Sequence, residues 1–343
     1  MACHNHELFV EQAVQSVLDQ TFEDLELIIV DDGSIDRSVE KIRRFQDPRI
    51  RLTTQTNRGP SAAFNTCLER ARGEFVAVIA SDDVCRKDRV EKQLAHLRQT
   101  NLDAVFALPE IIDETGRTLS DHHFAEFFKP RWQSTTELRR RLFHESNFLC
   151  ASTAFIRKSV LDRVGGFRLG SLQLQDFDLW IRLAWHASMG RMEDRLVQYR
   201  VRSDGANLSG KKNNVRTQFE YQMVMRAFFE EASPSLMRES FPGLVSPDVA
   251  SSSRERELEI SFIFLSHHDA GVRGIGAERI YRQVEDAQSA ALLEERWNMG
   301  PPELYALTNT LDLRNDTELE KLKESNRRLM REVLVARGAA SCS

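Results

Sequence analysis

Apolar residues recur along this chain in two alternating rhythms. From His6 to Thr21 they fall at Val10, Ala13, Val14, Val17 and Leu18, the spacing of a helix with one buried face. Leu25 to Val30 is nearly continuous in apolar character, as in a strand buried on both faces. Ser34 can cap a helix through Phe45, with Val39, Ile42 and Phe45 as its inner stripe. Arg49 to Leu52 alternates as a short strand. Pro60 opens a helix that closes at Gly73, proline at the entry and glycine at the exit. Glu74 to Ala80 reads as a strand, Asp88 to Arg98 as a helix and Ala104 to Leu108 as a strand. This alternation predicts an α/β fold on a doubly wound, mostly parallel sheet.

Past residue 110 the rhythm loosens. Ser134 and Glu137 signal a capping box for a helix through Phe143. Phe148 to Ile156 reads as extended, Lys158 to Val164 as helical and closed by Gly165-Gly166, Leu179 to Trp185 as helical, and Leu196 to Arg202 as a strand. From Asn207 onward the chain is almost wholly helical and highly charged. The shift near Ser203-Asp204-Gly205 sets the expected boundary between a domain over 1–205 and a helical region over 206–343. Leu319, Leu322, Asn326, Leu329 and Val333 alternate in spacings of three and four. They form either a short coiled coil over 316–335, through which two copies would pair, or a helix packed on its own domain.

Composition narrows the function class. The 343 residues suffice for one large or two smaller cores, and a net charge of -5 shows no global bias toward nucleic acid. Five cysteines (Cys3, Cys67, Cys85, Cys150 and Cys342) lie scattered without a CxxC pair, which argues against a zinc site or a disulfide framework and for a reducing compartment. No apolar run approaches the roughly 20 residues that span a bilayer. The expectation is a cytoplasmic protein, with peripheral membrane docking left open.

The chemistry concentrates in three acidic clusters at predicted strand ends or helix starts. Asp31-Asp32-Gly33-Ser34 follows Leu27–Val30, Asp82-Asp83 follows Phe75–Ala80, and Asp176-Phe177-Asp178 precedes an amphipathic helix. Ligands of open α/β sheets sit beyond the carboxyl ends of the strands. Carboxylates gathered there repel one another unless a base, sugar hydroxyls or a cation lies between them. No glycine-rich phosphate loop is present, so a bound diphosphate would need a cation, for which Asp82 and Asp83 offer oxygen ligands. Asp31 and Asp32 are suited to accept from a base N–H or a ribose hydroxyl. Any one Asp after a strand can equally be a turn or helix cap.

The stretches Cys3-His4-Asn5-His6, VDDGSID at 30–36, NRGPSAAFNTCLERARGEF at 57–75, ASDDVCRKDRV at 80–90, VGGF at 164–167, LQDFDLWIRL at 174–183 and YRVRSDGANLSG at 199–210 resemble, in order and spacing, the family 2 glycosyltransferases. The resemblance covers about residues 1 to 210. It implies the GT-A fold and inverting transfer from a nucleoside diphosphate sugar, with a UDP-sugar the foremost donor and a glycan hydroxyl the acceptor. Carried over by position, it implies that Asp32 contacts the base and Asp31 supports the ribose loop. It places Asn5 and Asn57 beside the nucleotide pocket. It makes Asp82 the last Asp of the DxD motif and a ligand of Mn²⁺ or Mg²⁺, Asp83 a supporting acid and Asp176 the general base.

The chain also departs from that pattern. Ala80 replaces the first Asp of the DxD motif, Gln175 the acid before the base, and Arg202 a His that often completes the metal site. An Arg cannot ligate a metal but can pair with a phosphate oxygen. The family has a buried strand ahead of the position of Cys3, where only Met1-Ala2 stand here, so either the true start lies upstream, where an apolar stretch is expected, or this chain is a fragment, or the sheet is compromised. The departures keep a second reading open, a non-catalytic sugar-nucleotide or glycan-binding module. Among other residues, Trp180 and Trp185 read as core and Trp132 as the better sugar-stacking candidate. His267-His268 reads as a surface pair.

Overall fold

The computed structural model describes residues 1–202, 214–246 and 252–311. The candidate coiled coil over 316–335 lies outside the described residues. The chain divides into two compact units, one up to Ser240 and one from Phe241 on.

The first unit is a mixed α/β structure. Strands β1 (Ala2–Cys3), β2 (Leu27–Asp32) and β3 (Ile50–Gln55) pair in parallel, joined by helices α1 (Val10–Leu18) and α2 (Ser38–Arg43). Helix α3 (Pro60–Arg70) leads to β4 (Phe75–Ala77), and an isolated parallel bridge from Ala2 to Ala80 connects the two halves of the sheet. The second half comprises β4, β5 (Val84–Cys85), β6 (Ala104–Ile112), β7 (Phe155–Arg157) and β8 (Met189–Arg200), in the order β4-β7-β6-β8-β5, with helices α4 (Arg89–Thr100), α5 (His123–Phe127), α6 (Thr135–Glu145), α7 (Lys158–Val164) and α8 (Gln175–His186) between them in the chain. There β6 and β8 are parallel and the other pairs antiparallel. The sheet is thus parallel in its first half and mixed in its second.

The apolar run Leu27–Val30 is buried throughout, as a strand covered on both faces requires. Helix α1 turns Val10, Ala13, Val14 and Val17 onto it, together with Ile42 of α2. Behind β1 the sheet narrows. The lower parts of β2 and β4 border a cavity of about 630 Å³ lined by residues that include Leu27, Ile28, Phe75, Ala77, Phe155 and Phe167.

Several local expectations shift. Ser34 does not cap α2, which starts at Ser38. Its hydroxyl accepts from the Asn5 amide and donates to Asp31, because a glycine turn at Gly33 carries it back toward β1. The stretch after Asn147 is not one strand. A short 3-10 turn at Ala151–Thr153 precedes β7.

The first unit also runs past the boundary expected near residue 205. Two further helices, α9 (Asn214–Arg226) and α10 (Pro234–Ser240), belong to it. The reason is specific packing. Trp185 Nε1 donates to the Phe228 carbonyl at 2.7 Å, and the Phe228 ring meets Phe143 edge-on with centroids 5.1 Å apart. Glu220 of α9 is buried, and its carboxylate accepts the amides of Leu172, Gln173 and Leu174 at 3.0, 2.8 and 3.0 Å.

The second unit is helical. Helices α11 (Ser253–Leu265), α12 (Ala270–Gln283), α13 (Ala287–Trp297) and α14 (Pro301–Asn309) gather Leu258, Ile280, Leu293 and Leu304 into a core. Ser252, Asp269 and Asp286 cap the first three of these. Gly276 permits close approach to α11, since a Cβ there would lie 2.5 Å from the Ser261 carbonyl oxygen. His267 and His268 are not a surface pair, for His267 is buried and its Nδ1 accepts the Asp269 amide at 2.9 Å.

The Glu220 contact is open to test. Glu220→Ala strips three loop amides of their acceptor and should lower unfolding free energy by about 1–3 kcal/mol. The urea midpoint of the full chain should fall accordingly. An unchanged midpoint would show that α9 is not anchored through this carboxylate.

Candidate functional site

The site assembles where β1, β2 and the segment after β4 end. The turn after β1 is held by side chains from the loop after β2. Three successive amides, those of Asn5, His6 and Glu7, donate to Ser34 Oγ, Ser38 Oγ and Asp36 Oδ2, each at 2.9 Å. Asn5 adopts the left-handed region at φ 53° and returns its Oδ1 to the Ile35 amide at 2.9 Å. Asp31 is buried and accepts the Ser34 amide and hydroxyl.

Asp32 holds a third loop. Its Oδ1 accepts from Gln55 Nε2 at 2.8 Å and the Arg58 amide at 2.9 Å, and its Oδ2 accepts the Gly59 amide at 2.8 Å. Gly33 must be glycine here, since its φ is +72° and a Cβ would lie 2.8 Å from the Asn57 nitrogen. His4 joins all three loops, a role the sequence reading did not assign. Its Nδ1 meets the Asp32 carbonyl oxygen at 2.9 Å, while Nε2 faces Asn5 Nδ2 at 3.1 Å and Asn57 Nδ2 at 3.3 Å. Asn5, Asp31, Asp32 and Asn57 therefore lie in one cluster.

The second acidic pair splits in two. Asp83 is buried, accepts from Ser152 Oγ and accepts the Arg200 amide at 2.8 Å. Burial, and then the charge of Asp82, pushes its carboxyl up to about 8. Asp82 points elsewhere, with its side chain 13% exposed and its Oδ2 3.8 Å from His6 Nε2. The His6 ring is held below its usual pKa, first by burial, with Asp82 opposing and Arg202 adding to the effect. The Arg202 guanidinium lies over the Phe9 ring at 5.7 Å, on the same side of the site as His6.

Asp176 lies in the first turn of helix α8 (Gln175–His186), where a carboxylate suits the positive end of the helix. It is half-buried, and desolvation pushes its carboxyl up to about 6. Hydrogen bonds from Asn147 Nδ2 at 3.0 Å and from the Phe177 amide at 2.8 Å pull it partly back. Asp178 is structural. It pairs with Arg182 at 2.7 Å, and Arg182 donates to the Val164 and Gly166 carbonyls. Asn65 closes the same turn from α3 through the Phe167 amide and carbonyl at 2.7 and 2.8 Å.

One short segment brings the two acidic centres together. Asn147 holds Asp176, and Ser152 holds Asp83. Cys150, buried between them, has its thiol pushed well up by burial and then by the charges of Asp83 and Asp176. The sequence offered little sign of this beyond an Asn and a Ser bracketing an apolar run. Trp132, the expected stacking platform, is buried instead. Its Nε1 donates to the Met189 carbonyl at 3.2 Å and its ring packs on Phe148, so it has no face to offer a sugar. Trp180 and Trp185 are core, as expected.

Comparison with known proteins gives this arrangement a context. A solved structure of S. aureus TarS residues 1–349 with UDP-GlcNAc superimposes with a TM-score of 0.56 at 18% identity, covering 87% of this chain and 90% of that one. The mannosyltransferase PcManGT from Pyrobaculum calidifontis, solved with GDP-Man and Mn²⁺, gives a TM-score of 0.53 at 15% identity, covering 90% and 81%. These likenesses establish the fold, a Rossmann-like mixed sheet followed by a helical region. An uncharacterized glycosyltransferase of Haemophilus influenzae is 41% identical over 105 residues, which are 30% of this chain and 42% of that protein. This chain thus spans less than half the length of that relative. The family model for glycosyl transferase family 2 matches residues 1–165, which hold β1 to β7 and every acidic group of the site except those on α8. Over this stretch, a little under half of its length, the chain is similar to glycosyl transferase family 2.

Proposed function

We propose that this chain is an inverting glycosyltransferase, moving a sugar from a nucleoside diphosphate donor to a hydroxyl of a glycan or related acceptor. A UDP-sugar is the foremost donor. The observation that carries the reading is the segment from Asn147 to Ser152, which links a carboxylate raised toward neutrality to a second acidic centre beyond the strand ends. The cluster of Asn5, Asp31, Asp32, Asn57 and His4 is the proposed nucleoside pocket. The buried free thiols Cys3, Cys67, Cys85 and Cys150 support a reducing, cytoplasmic setting.

In this reading the acceptor oxygen attacks C1 of the donor sugar as Asp176 takes its proton. The C1–O bond to the diphosphate breaks, and the leaving group departs with the bonding electron pair. One displacement inverts the anomeric centre, so no enzyme nucleophile is required. A carboxylate titrating near 6 is mostly ionised at neutral pH yet basic enough to share a proton in the transition state. Asn147 orients the carboxylate and favours its charged form. The donor set also suits a divalent cation, since Asp82 presents a partly exposed hard oxygen ligand while Asp83 is held by Ser152 and Arg200. Such a cation at Asp82 would neutralise charge developing on the diphosphate.

Three outcomes follow. Asp176→Asn should retain donor binding and lower turnover by roughly two to four orders of magnitude. Turnover near the wild-type rate would place the base elsewhere.

The pH dependence has a definite sign. Below about 6 Asp176 is protonated and cannot accept the acceptor proton, so kcat/KM should fall about tenfold per pH unit there and level off above. Asn147→Ala removes a bond to the charged form and should move this acid limb to higher pH. A limb unmoved by that change would separate it from Asp176.

Asp82→Ala should weaken UDP binding measured by calorimetry with Mn²⁺ present, and EDTA should weaken it in the wild type. Binding indifferent to both would shift the neutralising role to Arg202.

A further inference from the structure

His6 has a geometry that a structural role leaves unexplained. Its Nε2 lies 3.8 Å from Asp82 Oδ2, too far for a hydrogen bond, and both side chains keep access to solvent at 20% and 13% exposure. The ring is nevertheless fixed. Nδ1 is engaged by the fully buried Ser81 hydroxyl at 2.7 Å, the His6 amide donates to Ser38 Oγ at 2.9 Å, and Phe9 meets the ring edge-on. Histidines that bind metals commonly commit one ring nitrogen to a neighbour and present the other. Here the presented nitrogen faces the same space as the one accessible carboxylate oxygen of the acidic pair.

The surrounding residues leave a ligand wanting. Ala80 carries no donor, Asp83 is occupied by Ser152 and Arg200, and Arg202 cannot ligate a cation. Asp82 alone would be a sparse site. Two donors on one ion with bonds of about 2.1 Å lie about 3.0–3.5 Å apart, for angles from octahedral to tetrahedral. The observed 3.8 Å needs only a few tenths of an ångström of side-chain movement to reach this range.

We propose that His6 Nε2 is the second protein ligand, with Asp82, of the divalent cation at this site. This rests on the glycosyltransferase reading above and gives its cation site a selectivity. Imidazole suits the later transition ions better than Mg²⁺, which prefers oxygen ligands throughout. The site should therefore favour Co²⁺ or Mn²⁺ over Mg²⁺. Ser81 acts behind it as a positioning residue.

The test uses the full chain and the metals alone. Co²⁺ titration followed by visible absorption, Mg²⁺ titration by calorimetry and pulsed EPR of bound Mn²⁺ are compared for wild type, His6→Ala, Ser81→Ala and Asp82→Ala. Circular dichroism checks that each variant is folded. His6→Ala should weaken Co²⁺ binding by about tenfold or more, leave Mg²⁺ within a few-fold and remove an imidazole-nitrogen modulation from the Mn²⁺ spectrum. Ser81→Ala, which keeps the ligand and frees the ring, should weaken Co²⁺ less than His6→Ala does while retaining that modulation. Asp82→Ala should abolish binding of both metals. If Asp82→Ala abolishes binding but His6→Ala changes neither the Co²⁺ affinity nor the spectrum, the His6 assignment is overturned and the cation at Asp82 stands. If wild type binds no cation even with UDP present, the cation site itself is overturned.

Discussion

The Arg200 guanidinium, almost wholly buried at the end of β8, fixes the acidic loop on which the site depends. It donates to the Asp82 carbonyl at 2.8 Å, to the Asp113 and Glu114 carbonyls at 2.9 and 3.0 Å and to Gln12 Oε1 at 2.7 Å, while lying over the Phe9 ring at 4.9 Å. Its own backbone amide donates to Asp83. Desolvating a guanidinium costs several kcal/mol unless its donors are matched. Here they are matched by groups from α1, from the loop after β6 and from the acidic loop itself. These three elements cannot shift independently without exposing an unsatisfied charge. The acidic loop thereby gains a fixed backbone, and Asp82 a fixed direction.

That constraint explains how carboxylates so close in space are tolerated. Asp31, Asp32 and Asp83 accept short hydrogen bonds from backbone amides and hydroxyls, and each holds a loop. Burial and the charge of Asp82 push the Asp83 carboxyl up to about 8, which favours its neutral form. Repulsion inside the site falls, and the remaining accessible oxygens belong to Asp82 and Asp176. The acids that hold the loops and those that face the ligand space are distinguished by burial and partners. Residue type alone could not have separated them.

Much of the fold was legible because burial writes itself into periodicity. The run Leu27–Val30 gave β2, the helical spacing from Val10 gave α1, and Lys158–Val164 was found with its observed limits. Carboxylates at strand ends pointed to the site region for the same reason, since ligands collect where strands of such sheets end. What stayed hidden rests on single contacts between distant segments. Ser34 looked like a helix cap, yet the turn at Gly33 gives its hydroxyl to Asn5 and Asp31. Trp132 sat in an irregular stretch that suggested exposure, yet it is sealed against Phe148. The extent of the first unit turned on Glu220, one carboxylate in a helix whose pattern gave no sign that it would cap a loop far earlier in the chain.

The same logic accounts for the importance of residues 147–153. Their apolar run reads as extended, yet they form no strand, because their work is to reach two sites rather than to cover a face. Asn147 meets Asp176 at the start of α8, and Ser152 meets Asp83 behind the acidic loop while also accepting the Ala80 amide at 3.2 Å. The segment is short and its ends are pinned, so the spacing between Asp176 and the acidic loop is set by covalent length rather than by the packing of two separate layers. The proposed inverting displacement needs such a fixed spacing, since the attacking hydroxyl and the departing diphosphate must lie on opposite sides of one carbon. Asp176 on α8 and the acidic loop after β4 come from stretches far apart in the chain, and this stretch of backbone links them.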